Sequence, residues 1–245
     1  MQSLVRVARD LAGEVGGLKF PAPVAYVYDP LVYARRPFEE YLARYGRGRK
    51  EVLLVGMNPG PFGMCQTGIP FGDVAMVRDW LGIDASAGAV GKPVREHSKR
   101  PVLGFACPRS EVSGRRLWSW ARDRFGTPER FFGRFFVWNH CPLCFVGAGG
   151  ANVTPDRLPA RARGRLLDAC DRALRRVVEA TRPRAVVGVG RFAEGRARVA
   201  LAGLDVGIHG MPHPSPASPA ANAGGPNAWA RAATRALRHA GIAVP

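Results

Sequence analysis

A short apolar run that ends in a loop rich in glycine and proline is the feature that most constrains how this chain can fold. Residues 52–55, Val-Leu-Leu-Val, read as a strand buried on both faces. Glycine and proline then recur too densely over 56–63 for a helix or a strand to continue. In open α/β sheets, ligands bind just beyond the carboxyl ends of the strands. Asn58, in this loop, is therefore the first candidate for a functional side chain.

Two further predicted strands end in polar loops in the same way. Residues 135–138 precede Asn139-His140-Cys141-Pro142, and a brief extended segment that begins at Ile208 precedes His213-Pro214-Ser215-Pro216. The carboxyl ends of parallel strands meet at one edge of a sheet. We therefore expect Asn58, Asn139 and His213 to lie close together.

Apolar residues at helical spacing alternate with the strands. Helices are predicted over the first sixteen residues and near 37–45, 73–81, 113–125, 160–181, 192–201 and 229–240, with Ser113 as an N-cap. Further strands are predicted at 24–28 and 185–189, an extended segment at 101–105, and loops at 147–159 and 217–227. This alternation predicts an α/β fold, a three-layer α/β/α sandwich with a mostly parallel central sheet. We expect one domain over 1–245, in which the helix within 1–20 could be peripheral.

The composition is strongly basic. The 36 Lys and Arg residues exceed the 19 Asp and Glu residues and give a formal net charge of +17. Such a surface attracts polyanions, so nucleic acid is the expected partner, although a GC-rich genome would also enrich arginine. No apolar run approaches the ~20 residues of a membrane span, and the N-terminus lacks the apolar core of a signal peptide. We expect a cytoplasmic protein without a membrane partner, active at a bacterial nucleoid.

Three strings at the predicted strand ends resemble the motifs of one enzyme family. They are Gly56-Met57-Asn58-Pro59-Gly60-Pro61-Phe62-Gly63-Met64 with its continuation Gln66-Thr67-Gly68-Ile69-Pro70-Phe71-Gly72, Asn139-His140-Cys141-Pro142-Leu143 and His213-Pro214-Ser215-Pro216. The chain is similar in these strings, and in Ser110-Glu111-Val112-Ser113-Gly114, to the single-strand-selective monofunctional uracil-DNA glycosylases. The similarity extends from about Tyr26 to the last helix. It implies a uracil-DNA glycosylase-like fold and hydrolysis of the glycosidic bond of uracil in single- and double-stranded DNA, which leaves an abasic site.

The resemblance also implies a role for each residue of the pocket. Asn58 would hold the attacking water, and His213 would donate a hydrogen bond to uracil O2 as negative charge gathers there. The Asn139 amide would donate to O4 and accept from N3–H, whereas cytosine presents the opposite pattern. Four further residues would line the pocket, with the aromatic ring stacked on the base: Met57, Gly60, Met64 and Phe71.

Each of these side chains also has a structural interpretation. Asn58 could be a turn residue, and Asn139 could satisfy backbone groups at the end of a strand. A single histidine such as His213 is often structural, and a phenylalanine such as Phe71 is often part of a core. The agreement of all four with the family motifs, in the family order, favours the functional interpretation.

The cysteines and lysines bear on cofactors and on the reaction type. Cys141-x-x-Cys144 could be half of a metal site or a redox pair, but the other cysteines show no second close spacing. The resembled family has no metal, so we expect no metal and no cofactor. No lysine in the motifs suggests a Schiff-base lyase step, which predicts a monofunctional enzyme.

DNA contacts are expected from three segments. By resemblance, the segment from Gly149 lies along DNA, and the loop after His213 enters the duplex to hold the extruded nucleotide out. Family members place a bulky or basic residue after the His-Pro-Ser-Pro string, where this chain has Ala217 and extra residues including Gly224-Gly225-Pro226, so the wedging residue stays unassigned. Some arginines could simply form a solvated helix face. The predicted DNA contacts are Lys99, Arg100, Gly149, Asn152, Arg157, Arg161, Arg163, Ser215, Pro216, Ala217 and Ser218.

The substrate range has alternatives. No tyrosine wall follows Asn58, which resembles the family's roomier pocket near C5 and implies tolerance of 5-hydroxymethyluracil and related oxidised bases. The expected partner is DNA that contains uracil or oxidised uracil derivatives, bound by a monomer. One alternative is a glycosylase shifted to the deaminated purines hypoxanthine and xanthine. Another is a protein that binds damaged DNA without turnover.

Overall fold

The computed structural model describes residues 3–83, 85–86, 88–222, 225 and 227–245. The strands are β1 (Tyr26–Tyr28), β2 (Val52–Gly56), β3 (Phe135–Asn139), β4 (Cys144–Val146), β5 (Asn152–Val153), β6 (Ala185–Val189) and β7 (Gly207–Met211). The helices are α1 (Leu4–Gly16), α2 (Pro30–Tyr33), α3 (Arg35–Tyr45), α4 (Met64–Thr67), α5 (Val112–Phe125), α6 (Pro128–Phe132), α7 (Ala160–Thr181), α8 (Arg191–Ala200), α9 (Pro219–Asn222) and α10 (Ala228–His239).

The central sheet contains four parallel strands in the order β3-β2-β6-β7 within the described part of the chain. Val55 of β2 pairs with Trp138 of β3 on one side and with Gly188 of β6 on the other. Strands β2, β3 and β6 are buried along their whole length, as expected for parallel strands covered on both faces. The predicted α/β fold with a mostly parallel central sheet is confirmed.

Helices flank this sheet in two packed groups. In one group, α7 contacts both α1 and α8. In the other group, α5 contacts both α6 and α10. The apolar face of α1 is buried in the main core through Leu4, Val7, Leu11 and Val15. No described helix combines the length and the apolar character that crossing a bilayer requires.

A second, smaller sheet lies beside the site. Its antiparallel strands have the order β1-β4-β5, with Tyr26 opposite Val146 and Phe145 opposite Val153. Strand β5 lies within 147–159, which was predicted to be a loop. Because β4 follows the Asn139 loop after a few residues, this small sheet fixes the chain immediately beyond the candidate site.

The structure differs from the predicted local structure at the start of α5 and in three other segments. The N-cap of α5 is Glu111, whose carboxylate accepts from the backbone N–H groups of Ser113 and Gly114, so Ser113 is not the cap. The segment 101–105, predicted to be extended, ends in a 3₁₀ turn at Gly104–Ala106. The helix predicted over 73–81 is observed over 74–80, although Met76–Trp80 has the wider π-helical form. The predicted loop 217–227 contains the short helix α9.

Candidate active site

Three parallel strands bring polar side chains to one cavity. Asn58 follows β2, Asn139 ends β3, and His213 follows β7. All three line a cavity of about 350 Å³, as expected from the strand order. Six other residues predicted for the site line the same cavity: Met57, Gly60, Met64, Phe71, Asn152 and Ser215.

The loops that carry Asn58 and Asn139 are held against each other. Beyond the paired strands, His140 N–H donates to the Gly56 carbonyl at 2.9 Å, and Cys141 N–H donates to the Met57 carbonyl at 2.8 Å. These bonds continue the parallel pairing of β2 and β3 past the sheet edge. The two asparagines are therefore positioned by one rigid backbone unit.

The amide of Asn58 has a defined orientation. Its Nδ2 donates to the carbonyl oxygens of Leu143 at 3.2 Å and Pro59 at 3.3 Å. Both partners can only accept, which assigns the nitrogen and the oxygen of the amide. With its NH₂ group engaged, Asn58 offers Oδ1 to a hydrogen-bond donor in the cavity.

Asn139 is 6% exposed, and its Nδ2 donates to the thioether sulfur of Met64 at 3.3 Å. Sulfur is a weak acceptor, so a carbonyl oxygen entering the cavity would be a better partner for this amide. The site depends on glycine at Gly56, because a Cβ there would lie 2.3 Å from Asn139 Oδ1 and 2.7 Å from Phe71 Cε2. Glycine thus makes room for both side chains.

Phe71 forms an aromatic wall in an unusual backbone conformation. Its φ is +54°, a region that bulky residues rarely adopt. The Phe71 carbonyl accepts from Trp118 Nε1 at 2.9 Å and from Asp73 N–H at 2.8 Å, and these bonds hold the strained residue in place. The ring centroid lies 6.0 Å from that of His213. Strain that is maintained by surrounding structure is a feature of ligand sites.

His213 is held as a neutral ring. Its Nδ1 accepts from Ser215 N–H at 3.0 Å, so the proton of the neutral imidazole is on Nε2. Burial lowers the pKa of His213 to about 4, because the charged form would lose its hydration. Trp229 Nε1 donates to the Pro212 carbonyl at 2.8 Å and supports the loop. At neutral pH, His213 can therefore donate a hydrogen bond from Nε2.

Glu111, Ser113 and Thr154 also line the cavity and were not predicted as site residues. Burial raises the pKa of Glu111. For Glu111 and Ser113, the sequence signal was the string 110–114, which is similar to the family motif but is also typical of the start of a helix. A capping carboxylate and a site carboxylate have the same sequence pattern, so sequence reasoning could not separate them.

Two of the predicted DNA contacts lie beside the Gly149-Gly150 turn. Arg100 Nε donates to the Gly150 carbonyl at 2.8 Å, and Lys99 Cβ would lie 3.3 Å from a Cβ at Gly150. Lys99 and Gly149 are exposed. Lys99, Arg100 and Gly149 do not line the cavity. Arg100 also has a structural role, because its bond to Gly150 holds the turn.

The remaining predicted DNA contacts are near α7 and in the loop after His213. Arg157 and Arg161 are exposed, and Arg163 Nη1 donates to the Asp156 carbonyl at 2.9 Å. In the loop, Ala217 N–H donates to Ser215 Oγ at 3.1 Å and Ser218 N–H to the Ser215 carbonyl at 2.9 Å, while Pro216 and Ala217 are exposed. Two of the extra residues of this loop, Gly224 and Pro226, lie outside the described residues.

The cysteines lie in packed surroundings. Cys141 and Cys144 are fully buried, with Sγ contacts of 3.7 Å to the Leu143 carbonyl and to Asn152 Oδ1 respectively. Within the ranges that the structure describes, no group of three or more His, Cys, Asp or Glu side chains is arranged to hold a metal ion.

Known proteins are similar to this chain over most of its length. The family model of the uracil DNA glycosylase superfamily matches residues 43–238. The single-strand selective monofunctional uracil-DNA glycosylase of Rattus norvegicus is 53% identical over 234 residues, covering 95% of this chain and 82% of the rat protein. The protein of the same name from Mus musculus is 52% identical over 95% of this chain and 81% of its own length.

A solved structure shows the same fold. The crystal structure of wild-type SMUG2 from Pedobacter heparinus superposes with a TM-score of 0.58 at 19% sequence identity, over 85% of this chain and 87% of that chain. The convergent strand ends, the extent of the family match and the identity to the mammalian proteins lead to one conclusion. The chain belongs to the uracil DNA glycosylase superfamily and, within it, to the single-strand selective monofunctional uracil-DNA glycosylases.

Proposed function

We propose that this protein excises uracil from DNA by hydrolysing the bond between deoxyribose C1′ and uracil N1, which leaves an abasic site. The observation that carries the proposal is the placement of Asn58, Asn139 and His213 around one cavity. Their hydrogen bonds leave an acceptor on Asn58 and a donor on His213 available to a ligand. The names of the relatives, which state uracil-DNA glycosylase activity, support the same reaction.

The chemistry requires charge stabilisation more than a strong nucleophile. As the glycosidic bond breaks, the sugar becomes cationic and the uracil becomes anionic. A neutral His213 can donate from Nε2 to uracil O2, where negative charge gathers. Asn58 Oδ1 can accept from a water molecule and direct that water towards C1′. In this scheme the protein forms no covalent bond to the sugar.

Asn139 provides a basis for rejecting cytosine. Its Nδ2 would exchange the weak contact with Met64 sulfur for a bond to uracil O4, and its Oδ1 would accept from N3–H. Cytosine has an amino donor at position 4 and an acceptor at N3, so both contacts would be lost. The exchange needs no rotation of the amide.

The cavity has the walls that an extruded base requires. A base that reacts in such an enzyme leaves the DNA stack and is held between apolar or aromatic side chains. Phe71 can stack on the uracil ring, while Met57 and Met64 provide apolar contacts. The wall at Gly60 carries no side chain, which supports acceptance of 5-substituted uracils such as 5-hydroxymethyluracil.

DNA would approach this cavity across a basic surface. The net charge of +17 favours binding to phosphates, and the exposed Lys99, Arg157 and Arg161 can contribute to it. We also assign a DNA contact to the exposed, uncharged loop residues Pro216 and Ala217, which follow His213. Activity is proposed for both single- and double-stranded DNA.

The decisive experiment uses oligonucleotides that contain one uracil. Incubation with the protein followed by alkali should cleave the single strand and the duplex at the uracil, while the matched strand with cytosine stays intact. Omission of alkali should leave both strands intact, because a monofunctional enzyme does not cut the backbone. Full-length uracil strands after alkali would contradict the proposal.

A further inference from the structure

One wall of the cavity has a carboxylate that the proposed reaction does not use. Glu111 is the only acidic residue among the described residues that line the cavity. The proposed leaving group is an anion, so an acidic side chain close to it carries an electrostatic cost. Capping α5 does not require that the capping residue also line the base pocket. The position of Glu111 therefore needs a further explanation.

The side chain of Glu111 is firmly held. Its backbone N–H donates to Asp73 Oδ2 at 2.9 Å, and its carboxylate accepts from Ser113 N–H at 3.2 Å and from Gly114 N–H. A carboxylate has about four lone-pair sites, so these two backbone bonds leave capacity for another donor. Burial raises the pKa of Glu111, and an additional donor would compensate the charged form for its lost hydration.

The carboxylate of Glu111 lies beside two glycines that line the same cavity. A Cβ placed on Gly63 would be 2.8 Å from Glu111 Cγ, and a Cβ placed on Gly60 would be 3.9 Å from Glu111 Oε1. The next residue, Met64, accepts the hydrogen bond from Asn139 Nδ2. Glu111 and Met64, whose sulfur contacts the amide of Asn139, therefore lie on the same side of the cavity.

The order of atoms in the pyrimidine ring determines which part of the base faces this wall. If Asn139 Nδ2 binds O4, the next ring position away from N3 is C5. A substituent on C5 then points towards the wall formed by Gly60, Gly63 and Met64, where Glu111 also lines the cavity. His213, at O2, would contact the opposite part of the ring.

We propose that Glu111 is a specificity-determining residue that accepts a hydrogen bond from a donor carried on C5 of the bound uracil. The inference rests on the proposed uracil site and assigns one residue, Glu111, to the recognition of the C5 substituent. A hydroxymethyl group fits because its O–H can donate to the carboxylate. A formyl group has the same number of heavy atoms but can only accept, so it gains nothing from Glu111.

The test compares single-turnover rates on strands that contain uracil, 5-hydroxymethyluracil or 5-formyluracil, for the wild type and Glu111→Gln. Each variant-to-wild-type ratio removes the intrinsic reactivity of the base. Glu111→Gln keeps a neutral acceptor oxygen but loses the charge, and a hydrogen bond to a charged group exceeds one to a neutral group by about tenfold, so the hydroxymethyl-to-formyl rate ratio should fall by about tenfold in Glu111→Gln. An unchanged ratio would overturn the proposal.

Two further variants separate specificity from stability. Glu111→Asp keeps a good N-cap and the charge but withdraws the carboxylate from Gly60, so it should lower the same ratio even if Glu111→Gln folds poorly. Thr127→Ala removes the cap of α6, where Thr127 Oγ1 accepts from Arg130 N–H, and should leave the ratio unchanged. If the wild type excised uracil but not 5-hydroxymethyluracil, only the proposed role of Glu111 would be refuted, and the proposed function would stand. A wild type inactive on uracil would refute the proposed function as well.

Discussion

The Nδ1 atom of His213 accepts a hydrogen bond from the backbone N–H of Ser215 at 3.0 Å. An accepting nitrogen carries no proton, so the neutral ring presents its N–H at Nε2. Protonation of His213 would require Nδ1 to become a donor and would break the bond to Ser215. The loop geometry and the lowered pKa thus favour the same neutral state.

This relationship predicts the acid side of the pH–rate profile. Because the pKa of His213 is lowered to about 4, the single-turnover rate should stay constant as the pH falls through 6.5 and should decrease only as it approaches 4. A decrease centred near the ordinary histidine pKa of about 6.5 would contradict a neutral, half-buried donor. Circular dichroism at each pH would show that the protein stays folded, and His213→Gln should lack this titration.

Asn139→Asp should weaken the rejection of cytosine. A protonated carboxyl can donate to cytosine N3 and accept from its amino group, whereas the amide of Asn139 opposes both contacts. The measurement is the ratio of excision rates for cytosine and uracil in matched strands, which we expect to rise even if both rates fall. An unchanged ratio would remove Asn139 as the residue that reads the base.

Gly56→Ala, at the end of β2, should displace side chains of the site and lower the excision rate. The added Cβ would lie 2.3 Å from Asn139 Oδ1 and 2.7 Å from Phe71 Cε2, so one of these side chains must move. Such overpacking costs about 1–3 kcal/mol of unfolding free energy, and the rate should fall more than tenfold. Gly13→Ala in α1 is the matched control, because a Cβ there meets no atom within 4 Å and Gly13 does not line the cavity. Wild-type excision by Gly56→Ala would contradict the proposed placement of the base.

The exposed arginines should govern affinity rather than chemistry. Replacing Arg157 and Arg161 by glutamine should weaken DNA binding and reduce the steepness of its salt dependence by about 0.9 per lost phosphate contact on duplex DNA. Arg47→Gln is the control, because this exposed residue precedes β2 at the opposite end of the sheet. If Arg47→Gln, which removes one charge, had half the effect of the double change, which removes two, these arginines would act only through net charge.

The sheet and the principal helices were predictable because their patterns are long or strongly apolar. The helix predicted over 160–181 is observed as α7, and the strand predicted over 185–189 is observed as β6. Strands β4 and β5 contain three and two residues, which is too short for an apolar pattern to be recognised. Their pairing depends on tertiary contacts that the local sequence does not encode.

The convergence of the site was predictable, but its internal geometry was not. Asn58 is oriented by the Leu143 carbonyl, a partner 85 positions away in the chain. The positive φ of Phe71 depends on a bond from Trp118, and the role of Gly56 depends on side chains of two other segments. Family motifs identify such residues, whereas only three-dimensional contacts explain why each is needed.

The most direct test of the proposed uracil site is the single-turnover rate of Asn58→Ala on a single-stranded oligonucleotide with one uracil, measured beside its affinity for the same strand. Loss of the group that directs the water should lower the rate by about 100-fold to 10,000-fold, while affinity stays close to that of the wild type. A wild-type rate in Asn58→Ala would contradict the role of this loop in the reaction and, with it, the proposed arrangement of Asn58, Asn139 and His213 around an extruded uracil.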